Sequence, residues 1–381
     1  ASIFNTHERN ALLINFILEP IRIMIRTVFT GLRPGSDASD KKVFLLPTFY
    51  CLAWSGLISN LALAADTNHG NYAENFHACL QEIGSQVYVE GAKFVMGDNY
   101  TYREEGPAHE VTISGFWVDA HEVTNGQFAR FVADTGYVTV AERQPNPEDW
   151  PGVPADLLEP GSTLFSPPQG GSAAASWWSY VPGVNWRHPE GSASSIEGKD
   201  NYPVVHVAWE DAKAYANWAG RELPSEAQFE LVARSMTGGT YPWNGDELAP
   251  GGHHRANTWQ GNFPVDNTVE DHHVGLAPVG CFEPNDFGAY DLIGNVWEWT
   301  VNWFAPGHNP LDNSNPIGPA QSESFDYANG GFPVKVIKGG SYLCAPSYCM
   351  RYRPAARQAA DVGLGTSHIG YRTVKATNQQ N

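Results

Sequence analysis

Basic charge is scarce in this sequence: 23 Lys and Arg stand against 41 Asp and Glu, a formal net charge of -18 over 381 residues. No run of Lys or Arg appears, so the cationic footprint demanded by a phosphate backbone is missing and nucleic-acid binding is set aside. The acidic balance fits a soluble protein with cation sites, although solvated surface carboxylates are its commoner origin. Long apolar runs are scarce as well, and outside residues 41–64 none is long and apolar enough to cross a membrane. No glycine-rich phosphate loop is visible, which leaves a nucleotide cofactor without a cradle. No internal repeat or composition shift divides residues 85–376. Cysteine is rare, at five residues, and methionine rarer, at four.

What is abundant points to a loop-rich α+β or β protein. The chain holds 38 Gly and 27 Pro, and its 42% hydrophobic content is enough to build a sizeable core. Its 13 Trp suit an aromatic core or a peptide-binding groove.

The chain starts at Ala1 and its first Met is Met24, so residues 1–40 are read as an upstream or non-native extension. From Lys41 follow two lysines, an apolar stretch and Ala62-Leu63-Ala64, the pattern of a signal peptide over 41–64 cleaved before Ala65. The alternative is an uncleaved anchor, which Pro47, Ser55, Gly56, Ser59 and Asn60 weaken. Export would leave Cys79, Cys281, Cys344 and Cys349, and in an oxidising compartment four cysteines allow three disulfide connectivities.

Residues 65–84 read as a short leader, helical around Phe76–Ile83. An apolar strand is expected over Val89–Asp98. A strand pair follows at His109–Gln127, carried by the alternation of Val111, Ile113 and Val118, with a helix from near Thr124. Residues 141–200, rich in Pro, Gly and Ser, are expected as long surface loops, with Trp150, Trp177, Trp178, Tyr180 and Trp186 arguing for a functional one. A short strand is expected at Pro203–Val207, a helix at Glu210–Gly220, and another after the N-cap Ser225. Turns and short strands fill the rest.

The motifs in order are F-V-M-G at Phe94–Gly97, V-D-A-H-E-V-T-N at Val118–Asn125, W-W-S-Y-V-P-G-V-N-W-R-H-P-E-G at Trp177–Gly191 and P-V-V-H-V-A-W-E-D-A at Pro203–Ala212. A-N-T-W-Q-G-N-F-P at Ala256–Pro264, G-N-V-W-E-W at Gly294–Trp299 and K-G-G-S-Y-L-C-A-P-S-Y-C-M-R-Y-R at Lys338–Arg353 complete the series. With these, residues 85–376 resemble the formylglycine-generating enzymes, or sulfatase-modifying factors. G-N-V-W-E-W and G-G-S are shared with relatives that are not oxidases, whereas N-W-R-H-P-E-G and the Cys-x4-Cys pair are specific to the oxidases. The resemblance implies one α+β domain, a variant of the C-type-lectin-like fold low in regular secondary structure. It also implies an activity, the O2-dependent oxidation of a cysteine in a C-x-P-x-R segment of a sulfatase to Cα-formylglycine. In that family Cu(I) lies between two cysteines and takes the substrate cysteine as a third sulfur ligand. Carried over, Cys344 and Cys349 are the copper ligands, Ser341 and Trp297 line the oxygen pocket, and Tyr348 sits beside the metal.

Physical chemistry agrees with a copper site without requiring it. Two thiols separated by four residues, near Gly339, Gly340 and Pro346, can face each other across a tight loop. Paired thiolates are a soft donor set that suits Cu(I), and no nearby Cys or His completes a tetrahedral zinc site. Arg351 and Arg353 favour thiolate over thiol. A structural disulfide across the small loop is the competing reading.

The resemblance also implies two Ca2+ sites. The first takes Asn257 and Asp271 with the carbonyls of Thr258 and His273; the second takes Asp291 and Glu298 with the carbonyls of Gly294 and Val296. Hard oxygen cages of this kind suit Ca2+. His121, His188 and His206 sit in apolar or aromatic contexts and read as hydrogen-bonded core or groove residues. Two departures from the family, Q-A-A-D-V-G-L-G after Arg357 and G-R-E-L-P-S-E after the Glu210 helix, leave the thiols untouched. The cysteine pairs of vertebrate members are absent, which fits a bacterial protein. The signal segment adds a periplasmic or secreted location, a departure from the family, since bacterial sulfatases are expected to be modified before export. Two other readings stay open: an exported relative that oxidises a different substrate, and a non-catalytic lectin-like binding module.

Overall fold

The computed structural model describes residues 79, 83–147, 154, 158–168, 177–236, 239–329 and 331–377. The expected extension, the signal segment, most of the leader with its helix, and Trp150 lie outside them.

Alternating burial organises the first sheet. In β4 (Phe116–Asp119) Phe116 and Val118 are buried while Trp117 is exposed. It lies between β1 (Gln86–Val89) and β13 (Val374–Ala376), both antiparallel to it. β2 (Ala92–Met96) pairs with β3 (His109–Ile113) in a separate ribbon. The apolar stretch expected as one strand from Val89 therefore breaks, and the strands expected to pair over 109–119 pair elsewhere. Gly91 is the cause: a Cβ there would lie 2.7 Å from the Ile113 carbonyl oxygen and 2.8 Å from the Gly115 nitrogen. Only a bare Cα lets the chain turn that closely between sheets.

The second sheet is built on β9 (Trp297–Trp303), in the order β11 (Arg357–Ala360), β10 (Lys335–Lys338), β9, β12 (Ile369–Gly370). β12 runs parallel to β9 and the other neighbours are antiparallel.

Three helices form where expected. α1 (Asn125–Thr135) starts at a capping box between Thr124 and Gln127 and ends at Gly136 in the left-handed region. In α2 (Trp209–Trp218) the Asp211 carboxylate accepts the Ala208 N–H at 2.8 Å, and α3 (Glu226–Arg234) is capped by Ser225. Pro203–Val207 is not a strand; its partner contact is a single bridge from Pro203 to Thr124. His206 adopts a φ of 59°, which ends any extended run. Within the expected loop region lies a hairpin of β5 (Gly161–Phe165) and β6 (Trp178–Pro182). The Pro, Gly and Ser around it hide its alternation.

The main core gathers Phe128 and Phe131 of α1, Tyr215 of α2, Trp297 and Trp299 of β9, and Trp186, Ile337 and Tyr371. Burying each such side chain stabilises by about 1.5–3 kcal/mol, so the packing holds long loops that carry few ladder bonds. Cys344 and Cys349 belong to this cluster. A second core lies between α3 and β1–β4. Of the possible cysteine pairings, Cys79–Cys281 forms, and Cys344 and Cys349 are free thiols.

Candidate active site

After β10 the chain turns through Gly339 and Gly340, with φ 95° and 76°. A Cβ on Gly340 would lie 2.8 Å from the Arg351 carbonyl oxygen, so the outgoing strand closes over the loop only because no side chain is there. Ser341 then starts a series of turns. Cys344 N–H donates to the Ser341 carbonyl at 2.9 Å, and Cys349 N–H to the Ala345 carbonyl at 2.8 Å. These bonds turn both thiols inward, with their sulfurs 3.0 Å apart. Cys344 is 2% exposed and Cys349 8%.

The pair is electrically asymmetric. Burial pushes the Cys344 thiol well above the usual range. The hydrogen bond from Cys344 draws Cys349 down to about 7, with help from Arg351. One sulfur is thus disposed to carry charge and the other to donate to it. The donor set is soft, buried and reduced, which fits Cu(I).

Ser341, Tyr348 and the two cysteines share this loop, and β9 adds Trp297 to the same core. Ser341 is fully buried, and its hydroxyl accepts the Leu343 N–H at 3.3 Å. Trp297 N–H donates to the His368 carbonyl at 2.9 Å. Tyr348 faces outward at 57% exposure, its ring stacked 4.4 Å from Phe263 and edge-on to Trp177. Phe165, Trp178, Trp259 and Leu343 extend that surface into an aromatic shelf next to the thiols. Its parts come from the β5–β6 hairpin, the 259–263 turn and the cysteine loop.

A second arrangement of buried polar groups lies behind the G-N-V-W-E-W turn. Gly294 N–H donates to the Gly339 carbonyl at 3.0 Å, and Tyr342 N–H to the Asn295 carbonyl at 3.0 Å, so this turn fixes the thiol loop. On its other side Asn257 gives its Nδ2 to the Gly275 carbonyl at 2.8 Å and to Asn295 Oδ1 at 3.0 Å. Its Oδ1 is buried with no partner. Asp271 accepts from the N–H groups of Thr258 and His273, each at 3.0 Å, and Gln260 caps both Asp271 and the Thr258 carbonyl. An orphaned amide oxygen beside a buried carboxylate fits a hard cation, because leaving it bare costs the full desolvation of that group.

Asp291 and Glu298 are also buried, and Arg372 binds Glu298 through Nε at 2.8 Å and Nη2 at 2.7 Å. Glu122 joins them, with its Oε2 unpartnered. Burial pushes Asp291 up to about 6 and Glu122 and Glu298 upward too, and Arg372 is the cation that opposes all three. Three carboxyls against one guanidinium are disposed to hold protons, and a divalent ion would favour their charged forms instead. Among the described residues no three His, Cys, Asp or Glu side chains gather around one metal position. Any Ca2+ here would rely on amide and carbonyl oxygens as much as on carboxylates.

His121 accepts the Gly84 N–H, and His188 and His206 are satisfied by Ser194, Ser162 and Pro189, so these histidines are hydrogen-bonded and not grouped as ligands.

The profile of the sulfatase-modifying factor enzyme 1-like domain matches residues 71–377. The chain belongs to the sulfatase-modifying factor family. It is 48% identical over 293 residues to the formylglycine-generating enzyme of Mycobacterium tuberculosis, covering 76% of this chain and 96% of that protein. It is 43% identical over 294 residues to the enzyme of that name from Mus musculus, covering 76% and 74%. An inactive C-alpha-formylglycine-generating enzyme 2 of Mus musculus is 42% identical over 226 residues, covering 58% and 70%. Family membership therefore does not by itself decide activity. The solved structure of PvdO from Pseudomonas aeruginosa superposes with a TM-score of 0.54 at 21% identity, covering 77% of this chain and 94% of that one, which speaks to the fold alone.

Within this sulfatase-modifying factor fold, sequence reasoning missed Glu122 and Arg372 as members of the buried carboxyl cluster. Glu122 and Arg372 lie far apart along the chain and meet only across β4, β9 and the 371–373 segment. No local pattern marks such a meeting.

Proposed function

We propose that this protein is a formylglycine-generating oxidase that converts a cysteine of a sulfatase segment to Cα-formylglycine. The reading takes Cu(I) between Cys344 and Cys349, O2 as oxidant, and Ca2+ as a structural ion. The observation that carries it is the pair of reduced, buried thiols 3.0 Å apart on a loop edged by a largely buried aromatic cluster that exposes Tyr348. Copper held by two sulfurs would supply the redox capacity to activate O2 and a further position for a substrate sulfur.

The remaining work falls to the chain itself. Tyr348, exposed and backed by the buried Phe263 ring, and the half-buried Trp177 offer apolar faces on which an extended peptide can lie beside the thiols. Ser341 and Trp297 are fully or nearly fully buried near the sulfurs and keep the inner side of the loop dry. With bulk water kept out, a charge on sulfur is felt strongly by its neighbours. Incubation of the protein with Cu(I), O2 and a C-x-P-x-R peptide is expected to give the aldehyde, read by mass spectrometry. No product from the wild type, or full activity in Cys344→Ala, overturns the reading.

Export to the periplasm or beyond is part of the same proposal. The Cys79–Cys281 disulfide supports it, since such bonds persist in oxidising compartments. An exported oxidase acting on a different protein is the second reading. It predicts copper binding with no turnover of the sulfatase-type peptide.

A further inference from the structure

The thiol loop is clamped from outside by a segment that belongs to none of the motifs, residues 98–106. Tyr102 accepts the Met350 N–H on its hydroxyl at 3.1 Å, directly beside Cys349 in the chain. The Arg351 guanidinium lies over the Tyr102 ring, its Cζ 4.2 Å from the ring centre, and its Nη2 is bound by the Glu104 carboxylate. Next to it Arg353 is spoken for: Glu105 holds it at 2.5 Å, Asp98 lies at 3.5 Å, and its Nε donates to the Met350 carbonyl. Arg351 differs in having capacity left over. It follows Cys349 by two residues, its charge helps to lower the Cys349 thiol, and its Nε–H is buried without an acceptor. A buried guanidinium N–H with no acceptor is costly, and the nearest chemistry able to satisfy it is an anionic sulfur.

We propose that Arg351, aimed by Glu104 and Tyr102, is the positioning residue that neutralises a copper bis-thiolate at Cys344 and Cys349. The inference rests on the copper reading of that site. Two thiolates with one Cu(I) carry a net negative charge, and in a buried site a fixed cation at hydrogen-bond range is the natural counter-charge. Stacking on Tyr102 and the ion pair with Glu104 fix the plane of the guanidinium, so its N–H groups present in one direction. Lysine would supply the charge without the planar fork.

The test is anaerobic titration with Cu(I) alone in competition with a chromophoric Cu(I) chelator, after thiol counting shows both cysteines reduced. Arg351→Gln is expected to weaken Cu(I) binding by about tenfold or more, the worth of one charge-assisted hydrogen bond. Arg351→Lys recovers part of that loss. Glu104→Gln weakens binding less than Arg351→Gln, because the guanidinium keeps its charge and its Tyr102 stack but loses its aim. Equal copper affinity in folded Arg351→Gln and wild type overturns the proposal and leaves the copper reading standing. A wild type with two free thiols that takes no Cu(I) removes both. If Arg351→Gln does not fold, Glu104→Gln and Arg351→Lys decide: tighter binding in Glu104→Gln, or unchanged binding in both, overturns the role of Arg351.

Discussion

The two buried polar regions of this molecule lie on either side of one turn and could hardly differ more. The thiol loop presents two sulfurs in an aromatic wall, with carboxylates kept outside its inner face. Behind Gly294 and Asn295, the Asn257–Glu298 region presents amide, carbonyl and carboxyl oxygens, its carboxyls more numerous than the one guanidinium among them. Soft and hard donors are thus separated by a single stretch of backbone that bonds to both. The difference teaches how one scaffold can keep a soft donor set and a hard one apart, so that cations of the two kinds would be offered different sites.

The largest expected effect tests that separation directly. Cys344→Ser replaces the soft donor by a hard one, and aldehyde formation on the C-x-P-x-R peptide should fall to the uncatalysed background. The same variant should keep the wild-type response of its melting temperature to Ca2+. Measuring both on one preparation sharpens the comparison: loss of the Ca2+ response as well would mean that the two regions act as one.

Breaking the oxygen-rich side should do the opposite. Arg372→Met leaves Glu298 buried and unpaired beside Asp291 and Glu122, and removal of one partner of such a pair costs about 3–5 kcal/mol. Urea unfolding should register that loss, and saturating Ca2+ should recover part of it. A variant as stable as wild type would show that the carboxyls are already neutral or balanced elsewhere.

How much of this was legible in the sequence follows the same divide. Cys344 and Cys349 are local: two rare residues, a fixed spacing and two glycines before them, so their meeting face to face could be expected from the sequence. The helix starts at Thr124 and Ser225 were equally local, because a cap and its partner lie three residues apart. The second buried polar region was legible only through resemblance, and then incompletely. Asp291 and Glu298 were named, but Glu122 and Arg372 reach them from segments far apart in the chain, and chain spacing carries no trace of that. The β5–β6 hairpin was missed for another reason, since its alternation is buried in a Pro, Gly and Ser background. His206 shows the reverse error: an apolar run promised a strand, and one left-handed residue ended it.

That residue supplies the next test, on a buried group that bonds to Ser162 and Pro189. His206 is fully buried, and burial holds its pKa down to about 4 from 6.5. Between those values the unfolded chain takes a proton that the folded chain refuses. Stability therefore rises with pH through that window and is lost as pH falls from 6.5 toward 4, by about 3 kcal/mol for this one group. His206→Asn tolerates the positive φ and removes the titration, so its stability should change less across that range. An identical pH dependence in both proteins would place the acid sensitivity elsewhere.

The smallest effect belongs to the cation itself. A ligand that binds only the folded state stabilises it by RT ln(1 + [L]/Kd), about 2.7 kcal/mol at a hundredfold excess over Kd. Ca2+ should therefore raise the melting temperature and a chelator should reverse the rise, with no change in the thiol count. Mg2+ should do much less, because it demands a tight octahedral shell that fixed backbone carbonyls and Asn257 do not supply. Asn257→Ala deletes the orphaned oxygen together with its hydrogen bonds to Gly275 and Asn295, so it lowers stability without Ca2+ while shrinking the Ca2+ increment. A full increment in that variant would remove Asn257 from the cage. Equal gains from Mg2+ and Ca2+ would mean that carboxylate charge, and not the oxygen geometry, is what the ion answers.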